Sequence, residues 1–386
     1  MRFLFINYEY PPIGGGSATA CKQLARALAK RGHRIVVLTT GIGSLTGTAE
    51  EEGLTVHRVR AIRKSAHQSG ILEMLSYVLV ASWEAVRLVK SYKIDSMLAF
   101  FSVPGGIVAR WIHLRTGIPY VISLRGGDVP GTEPHLAFFY RLLQPVRNEI
   151  FKHASAITAP SEGLKTLSEK TDRFPVQVIP NGVDLDLFRP DPARPSQVPC
   201  LLSVGRLHAQ KNVSYLLRLV SLIRPKTAVT ARIIGDGPER ARLEELTRTL
   251  GIADSVQFEG WLSREAVREA YQSATLLIHV STYEGMSNVI LEALASGLPV
   301  AASRIPENSE LIQPGINGLL LDSASDPAQG LEPVREIMID QAKWTTLSRG
   351  ARESVESRFS WSKTAEQYEQ LLAAARMTNG RCADDK

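Results

Sequence analysis

Residues 2–40 read RFLFINYEYPPIGGGSATACKQLARALAKRGHRIVVLTT, and the order of patterns in this stretch decides the fold class. Residues 2–7 are a short apolar run, and 11–17 are a Pro/Gly loop. Residues 18–32 place Leu24, Ala25, Leu28 and Ala29 on one helical face and stop at Gly32; residues 35–39 are mostly β-branched. The order is strand, loop, helix, strand. The alternation continues with strands expected at 54–59, 96–101 and 120–123, a helix over 72–93 and another after Pro104-Gly105-Gly106. Strands that are apolar throughout need cover on both faces, so the pattern predicts a doubly wound parallel α/β sheet.

Past the middle of the chain, residues 188–195 hold Pro190, Pro192 and Pro195 with mixed charge and no periodicity, the marks of a linker. The alternation then restarts, with strands expected at 200–204, 231–234, 256–258, 276–280, 299–302 and 318–321 and helices such as 238–250 and 288–296. Two α/β domains of similar plan follow: residues 1–190, and residues 191–359. An amphipathic helix is expected from about 360 to 376, with a frayed tail over 377–386. Ligands of such sheets bind beyond the carboxyl ends of the strands, so two such domains are expected to face each other across a cleft.

Composition narrows the function classes. The chain has 386 residues, 44% hydrophobic and 22% charged, which excludes disordered, collagen-like and coiled-coil readings. Its net charge of +6 is uneven: residues 1–190 hold 23 basic and 15 acidic side chains, net +8, and residues 191–386 hold 22 and 24. That points to an anionic partner for the first half, or to nothing more than a basic solvated surface. Cys21, Cys200 and Cys382 are odd in number, far apart and without metal-type spacing, as expected of a reducing compartment and no structural zinc. The apolar stretch 71–89 carries Glu73, Glu84 and Arg87, which a membrane-spanning helix would bury at a cost of several kcal/mol. The expectation is a cytoplasmic protein that does not span a membrane, though it can rest on the inner face of one.

Four motifs stand at strand-to-helix turns. Gly14, Gly15 and Gly16 let backbone N–H groups approach an anion at a helix start, or form an ordinary turn. The spacing is neither G-x-G-x-x-G nor a P-loop. Arg125 and Asp128 follow an expected strand, which places them at the edge of the cleft. Arg206 and Lys211 lie between Gly205 and Asn212 just after the first strand of the second half, where two cations can neutralise a departing diphosphate. Residues 283–292, YEGMSNVILE, run from a loop into a helix, so that the amides of Gly285, Met286, Ser287 and Asn288 open the helix between Glu284 and Glu292. Two acids there can hold hydroxyl groups around a phosphate, or simply answer the helix dipole. Asp184-Leu185-Asp186 has metal-binding spacing but lies in the loop feeding the Pro-rich segment, and no RNA-binding pattern occurs, so neither metal nor nucleic acid is expected.

In order, Gly14-Gly15-Gly16, Val178-Ile179-Pro180-Asn181-Gly182-Val183-Asp184, Gly205-Arg206 with Lys211-Asn212, Ile234-Gly235-Asp236-Gly237-Pro238, Glu284 with Glu292, and Gly297-Leu298-Pro299-Val300 span nearly the whole chain. This series resembles the retaining glycosyltransferases of family GT4. The resemblance implies the GT-B fold: two Rossmann-like domains, acceptor site mainly in the first, nucleotide-sugar site mainly in the second, no essential metal and no cofactor beyond the nucleotide sugar as co-substrate. It also implies that the helix after Trp361 crosses back onto the first domain. By motif position, Arg206, Lys211 and Glu284 would be catalytic, the first two on the diphosphate and Glu284 at the sugar. Gly16, Gly285, Met286, Ser287, Asn288, Glu292, Gly260 and Leu262 would meet the donor, with Glu292 on the ribose and the 260–262 segment at the base. Gly14, Gly15, Arg125 and Asp128 would meet the acceptor; many relatives carry a histidine where Arg125 to Asp128 stand. The expected activity is transfer from a nucleotide sugar, UDP-linked before GDP-linked, to a polysaccharide, glycolipid or lipid-linked oligosaccharide. A small soluble acceptor such as a sugar phosphate, and a nucleotide-binding regulatory protein without catalysis, are the alternatives. Peripheral contact with an anionic membrane through the first domain completes the expectation.

Overall fold

The structure, a computed structural model, describes residues 1–66, 70–132, 137–191, 198–322 and 325–381. The chain forms two compact units: Met1–Gly182 together with the chain from Trp361 onward, and Val183–Ser360.

The first unit runs β1 (Arg2–Ile6), α1 (Gly16–Lys30), β2 (Arg34–Thr40), β3 (Gly47–Glu51), β4 (Leu54–Val59), α2 (Ile71–Tyr92), β5 (Ser96–Phe100), α3 (Gly106–Thr116), β6 (Tyr120–Ser123), α4 (Ala137–Lys152), β7 (Ala156–Ala159), α5 (Glu162–Asp172) and β8 (Gln177–Val178). Its sheet has the order β3-β4-β2-β1-β5-β6-β7-β8. The two-residue period of a strand divides the core in two. Phe3, Phe5, Ile35, Val37 and Leu98 pack beneath α1 and the C-terminal helix, Trp361–Arg381. Leu4, Ile6, Val36, Leu38 and Met97 pack beneath α2, α3 and α4. Every pair in the sheet is parallel except β3 with β4, so the wholly parallel sheet expected from the sequence has an antiparallel edge. All five residues of β3 are exposed or half-exposed, and a polar strand of this kind leaves no apolar signal yet blunts an otherwise open edge.

The C-terminal helix is tied down by Tyr368, whose hydroxyl lies 2.8 Å from Ser123 Oγ and 3.0 Å from Thr158 Oγ1, and by an Arg31–Glu369 ion pair at 2.5 Å. It runs to Arg381, past the end expected near 376, and Ala375 packs into the core; residues 382–386 of the expected tail lie outside the described residues. Cys382 lies outside the described residues.

The second unit runs β9 (Cys200–Val204), α6 (Val213–Ile223), β10 (Thr230–Ile234), α7 (Arg240–Thr249), β11 (Val256–Gly260), α8 (Arg264–Ser273), β12 (Leu276–His279), α9 (Asn288–Ala295), β13 (Val300–Ser303), α10 (Pro306–Ser309), β14 (Gly318–Leu321), α11 (Pro327–Ile339) and α12 (Gln341–Glu356). Its sheet, β11-β10-β9-β12-β13-β14, is parallel throughout. Val183 and Phe188 are buried in this unit's core, and Arg352 Nη1 donates to Phe188 O at 2.8 Å. The unit therefore begins ahead of the Pro-rich segment, not after residue 190; residues 192–197 of that segment lie outside the described ones.

Each sheet grows in both directions from its first strand, which makes a topological switch between β1 and β5 and another between β9 and β12. The glycine loop follows β1, and the loops bearing Arg206, Lys211 and Glu284 follow β9 and β12.

Candidate functional site

In the second unit, backbone meets backbone after β9 and β10. Gly205 N donates to Ile234 O at 2.9 Å, and a Cβ on Gly235, whose φ is 125°, would lie 1.9 Å from Gly205 O. Only glycine fits there. The turn that follows carries Gln210, whose Nε2 donates to Tyr283 O at 2.7 Å, and Thr282 N donates back to Gln210 O at 2.9 Å. These bonds dock the β9 loop on the β12 loop and bring together residues 73 positions apart: Lys211 Nζ stands 2.5 Å from Glu284 Oε1.

His279, the last residue of β12, completes the cluster. Its Nε2 is 2.9 Å from the same Glu284 oxygen, 3.2 Å from Ser281 Oγ and 3.1 Å from Ser287 Oγ. Glu284 is buried, which works against its charge, but Lys211 and the His279 hydrogen bond outweigh that and hold its carboxyl far below the usual carboxylate range. Burial pushes His279 below its ordinary value despite the bond to Glu284, so it is neutral at pH 7. A carboxylate only accepts, which makes Nε2 the protonated nitrogen. Ser287 also caps α9, its Oγ accepting from Ile290 N at 3.3 Å. Gly285, Met286 and Ser287 thus lead into the positive end of α9, with the Met286 side chain turned into the core. Arg206 is exposed on the turn after Gly205.

Glu292 lies one turn inside α9 and meets a different environment. Tyr271 donates its hydroxyl to Oε2 at 3.2 Å, and Arg264, the first residue of α8, reaches Oε1 only at 3.9 Å. Burial dominates, and the carboxyl is pushed up to about 7. Gly260, at the end of β11, accepts from Gly235 N at 2.7 Å, so the 260–262 segment backs onto the same glycine loop; Leu262 packs on the core around Tyr271 and Leu291.

In the first unit, Gly14 adopts φ 101° and Gly15 caps α1, which starts at Gly16 with no acid in its first turn. A Cβ on Gly14 would lie 2.6 Å from Glu9 Cβ, whereas one on Gly15 would meet open space. Arg125 lies over the Phe100 ring at 4.5 Å and donates to Asn181 Oδ1 at 2.7 Å. Asp128 is buried rather than open at the loop surface. Its oxygens accept from Arg125 N at 2.9 Å and Ser102 N at 2.6 Å, while buried Arg147, paired with Asp172 at 2.5 Å, donates to its carbonyl. Asp128 shapes the loop that presents Arg125.

Four residues escaped the sequence reading. His279 is a lone histidine in an apolar strand and Gln210 an ordinary loop amide, so neither leaves a signal. Tyr271 sits on a helix without distinguishing spacing. Arg264 could have been found: a cation at the first position of a helix opposes the dipole and implies a nearby anion.

Residues 14–187 match the family described as Glycosyltransferase Family 4, and residues 185–354 that described as Glycosyl transferases group 1. An uncharacterized glycosyltransferase of Methanocaldococcus jannaschii, MJ1607, is 26% identical over 99% of this chain and 100% of its own. The lipopolysaccharide core biosynthesis glycosyltransferase LpsE of Rhizobium meliloti is 28% identical over 60% of this chain and 67% of its own. Among solved structures, Anabaena Alr3699/HepE in complex with UDP-glucose superposes with a TM-score of 0.78 at 21% identity, covering 97% of this chain and 100% of that one. The fold is GT-B, and the two matched families together take in both units: the chain is a glycosyltransferase of family 4.

Proposed function

We propose that the protein is a retaining glycosyltransferase that moves a hexosyl unit from a UDP-sugar to a glycolipid or lipid-linked glycan acceptor, without an essential metal, at the cytoplasmic face of a membrane. The observation that carries this is the Lys211–Glu284–His279 cluster at the start of α9. It supplies, within hydrogen-bond distance, a cation for a diphosphate and a fixed carboxylate for sugar hydroxyls. UDP is favoured by the likeness to the UDP-glucose-bound structure, and a membrane-borne acceptor by the likeness to LpsE and by the positive charge of the first half.

In this reading the acceptor hydroxyl attacks C1 on the face from which the diphosphate leaves. The C1–O bond to phosphate breaks, the new C1–O bond forms on the same side, and the hydroxyl proton passes to the departing diphosphate oxygen. Lys211 and Arg206 stabilise the charge that grows there, and the amides after Glu284 add the helix dipole. Glu284 is held in one orientation by Lys211 and His279 and bonds the sugar. Glu292 accepts from the ribose, and the 260–262 segment lies against the base. Gly14, Gly15 and Arg125 are assigned to the acceptor, and Gly16 to the donor. Catalysis is then positioning and electrostatics. The test is incubation with UDP- and GDP-sugars in the presence of EDTA, with the anomer of the product assigned by NMR. Retained anomeric configuration from a UDP-sugar is expected; an inverted product, or activity abolished by EDTA, overturns the mechanism.

A further inference from the structure

Among the described residues, most large apolar side chains with high exposure lie on three neighbouring helices of the first unit. On α2, Leu72, Leu75, Leu79 and Trp83 recur at helical spacing and are 77%, 53%, 73% and 64% exposed. On α4, Phe138, Leu142 and Val146 repeat every four residues at 82%, 65% and 41%. Between them, α3 contacts both helices and adds exposed Leu114 and Trp111. The inner sides of these helices already fill the core, so the outer stripes serve no packing within the unit.

Charge tells what covers them. Lys64, Arg87, Lys90, Arg115 and Arg141 are exposed on or beside this layer, and two are stacked on its tryptophans: Arg87 over Trp83 at 4.0 Å and Arg115 over Trp111 at 4.1 Å. The acids are already engaged. Glu73 accepts from Gly70 N and Lys64 N at 2.7 and 2.8 Å, Glu84 bonds His57, and Glu149 bonds Arg110 at 2.7 Å. An apolar face with aromatic anchors and a cationic margin matches the interfacial zone of an anionic bilayer. A second copy fits worse, since a symmetric contact would set these cations against their own copies.

We infer that the outer face of α2, α3 and α4 docks the protein on an anionic lipid surface. This rests on the proposed function only in its choice of a lipid-borne acceptor. Both long stripes start where α2 and α4 leave the carboxyl edge of the sheet, beside the loops assigned to the acceptor. Gly14 N donates to Ala66 O at 2.8 Å in the segment leading to α2, and Tyr140 of α4 donates to Gly127 O at 2.8 Å. Docking would set the lipid surface next to Gly14, Gly15 and Arg125.

The experiment is flotation of the full chain with phosphatidylglycerol-containing and pure phosphatidylcholine vesicles, for wild type and the double variant Leu79→Glu, Phe138→Glu. Wild type is expected to float with the anionic vesicles and to be released by salt. The variant should lose on the order of tenfold in partitioning with an unchanged melting temperature and unchanged UDP-sugar hydrolysis. Equal flotation of the variant overturns the assignment. So does a wild-type dimer, seen by sedimentation, that the variant turns into monomers without a change in flotation. Absence of UDP-sugar hydrolysis in both proteins would fall on the proposed function and leave the docking result standing.

Discussion

Glu284 and Glu292 flank the start of one helix, the first buried and the second half-buried, yet their surroundings drive them in opposite directions. Glu284 has Lys211 at 2.5 Å and His279 at 2.9 Å and stays ionised far into acid; Glu292 has a tyrosine hydroxyl and a cation no nearer than 3.9 Å, and its carboxyl is pushed up to about 7. Burial alone would give the wrong order, since the more buried carboxyl is the one that stays ionised. A carboxylate that arrives pre-paired is a fixed part of the site, whereas one left half-compensated is waiting for donors that only a ligand brings.

The largest expected effect breaks the first half of that contrast. Lys211→Ala should lower turnover by on the order of 10²-fold or more. It also leaves Glu284 buried without its cation, which should destabilise the fold by up to about 3 kcal/mol at pH 7. Adding Glu284→Gln should restore most of the melting temperature and none of the turnover, separating the structural role of the pair from the catalytic one. Near wild-type turnover in Lys211→Ala would remove it from the diphosphate. Next in size, Glu284→Gln alone should reduce transfer by roughly thirtyfold while changing nucleotide affinity little, because the proposed function puts Glu284 at the sugar. Titration calorimetry showing the reverse would exchange the roles of the two acids.

The second half of the contrast has a pH signature. A carboxyl that titrates near 4.5 when unfolded and at about 7 when folded makes stability fall as pH rises between those values, by about 3 kcal/mol at most. Glu292→Gln should remove that slope. The unliganded variant is expected to melt above wild type at pH 8 and level with it near pH 4.5, while its affinity for UDP falls about tenfold. Parallel melting curves at the two pH values would show that Glu292 is better compensated than the geometry indicates. Glu284 works with the opposite sign: its contribution is present above about 4.5 and is lost only in acid.

Much of this was legible before the structure. The two sheets announce themselves because buried parallel strands are continuous apolar runs between helices, and the glycines at 14–16, 205 and 235 mark where backbones must turn or touch. The acids and cations of the Lys211–Glu284 cluster were legible because they sit at strand ends and helix starts, where function concentrates in folds of this kind. The antiparallel β3 was not, since an exposed polar edge strand has no apolar pattern. Asp128 read as a cleft residue because sequence shows position along the chain but not direction; only the fold turns its carboxylate onto the amides of Ser102 and Arg125. The apolar stripe of α2 was visible as composition, yet which side of the helix the core would leave uncovered depended on packing.

The smallest expected effect concerns the residue that sequence could least reveal. His279 meets Glu284 from behind, at the buried end of β12, and its neutral ring donates one hydrogen bond to a carboxylate that Lys211 already neutralises. Losing a single neutral donor costs about 1 kcal/mol, so His279→Leu should lower kcat about fivefold. A positioning role makes a sharper claim than size alone. Nucleotide affinity should be unchanged, because in the proposed arrangement His279 acts only through Glu284, at the sugar. His279→Gln, which can donate from its side-chain amide, should recover part of the loss. In a Glu284→Gln background the same His279→Leu change should cost almost nothing further, since the group it steadies is no longer a carboxylate. An undiminished fivefold loss in that background would mean that His279 acts through Ser287 and the start of α9 instead, and the contrast between the two glutamates would then belong to the helix cap rather than to the ion pair.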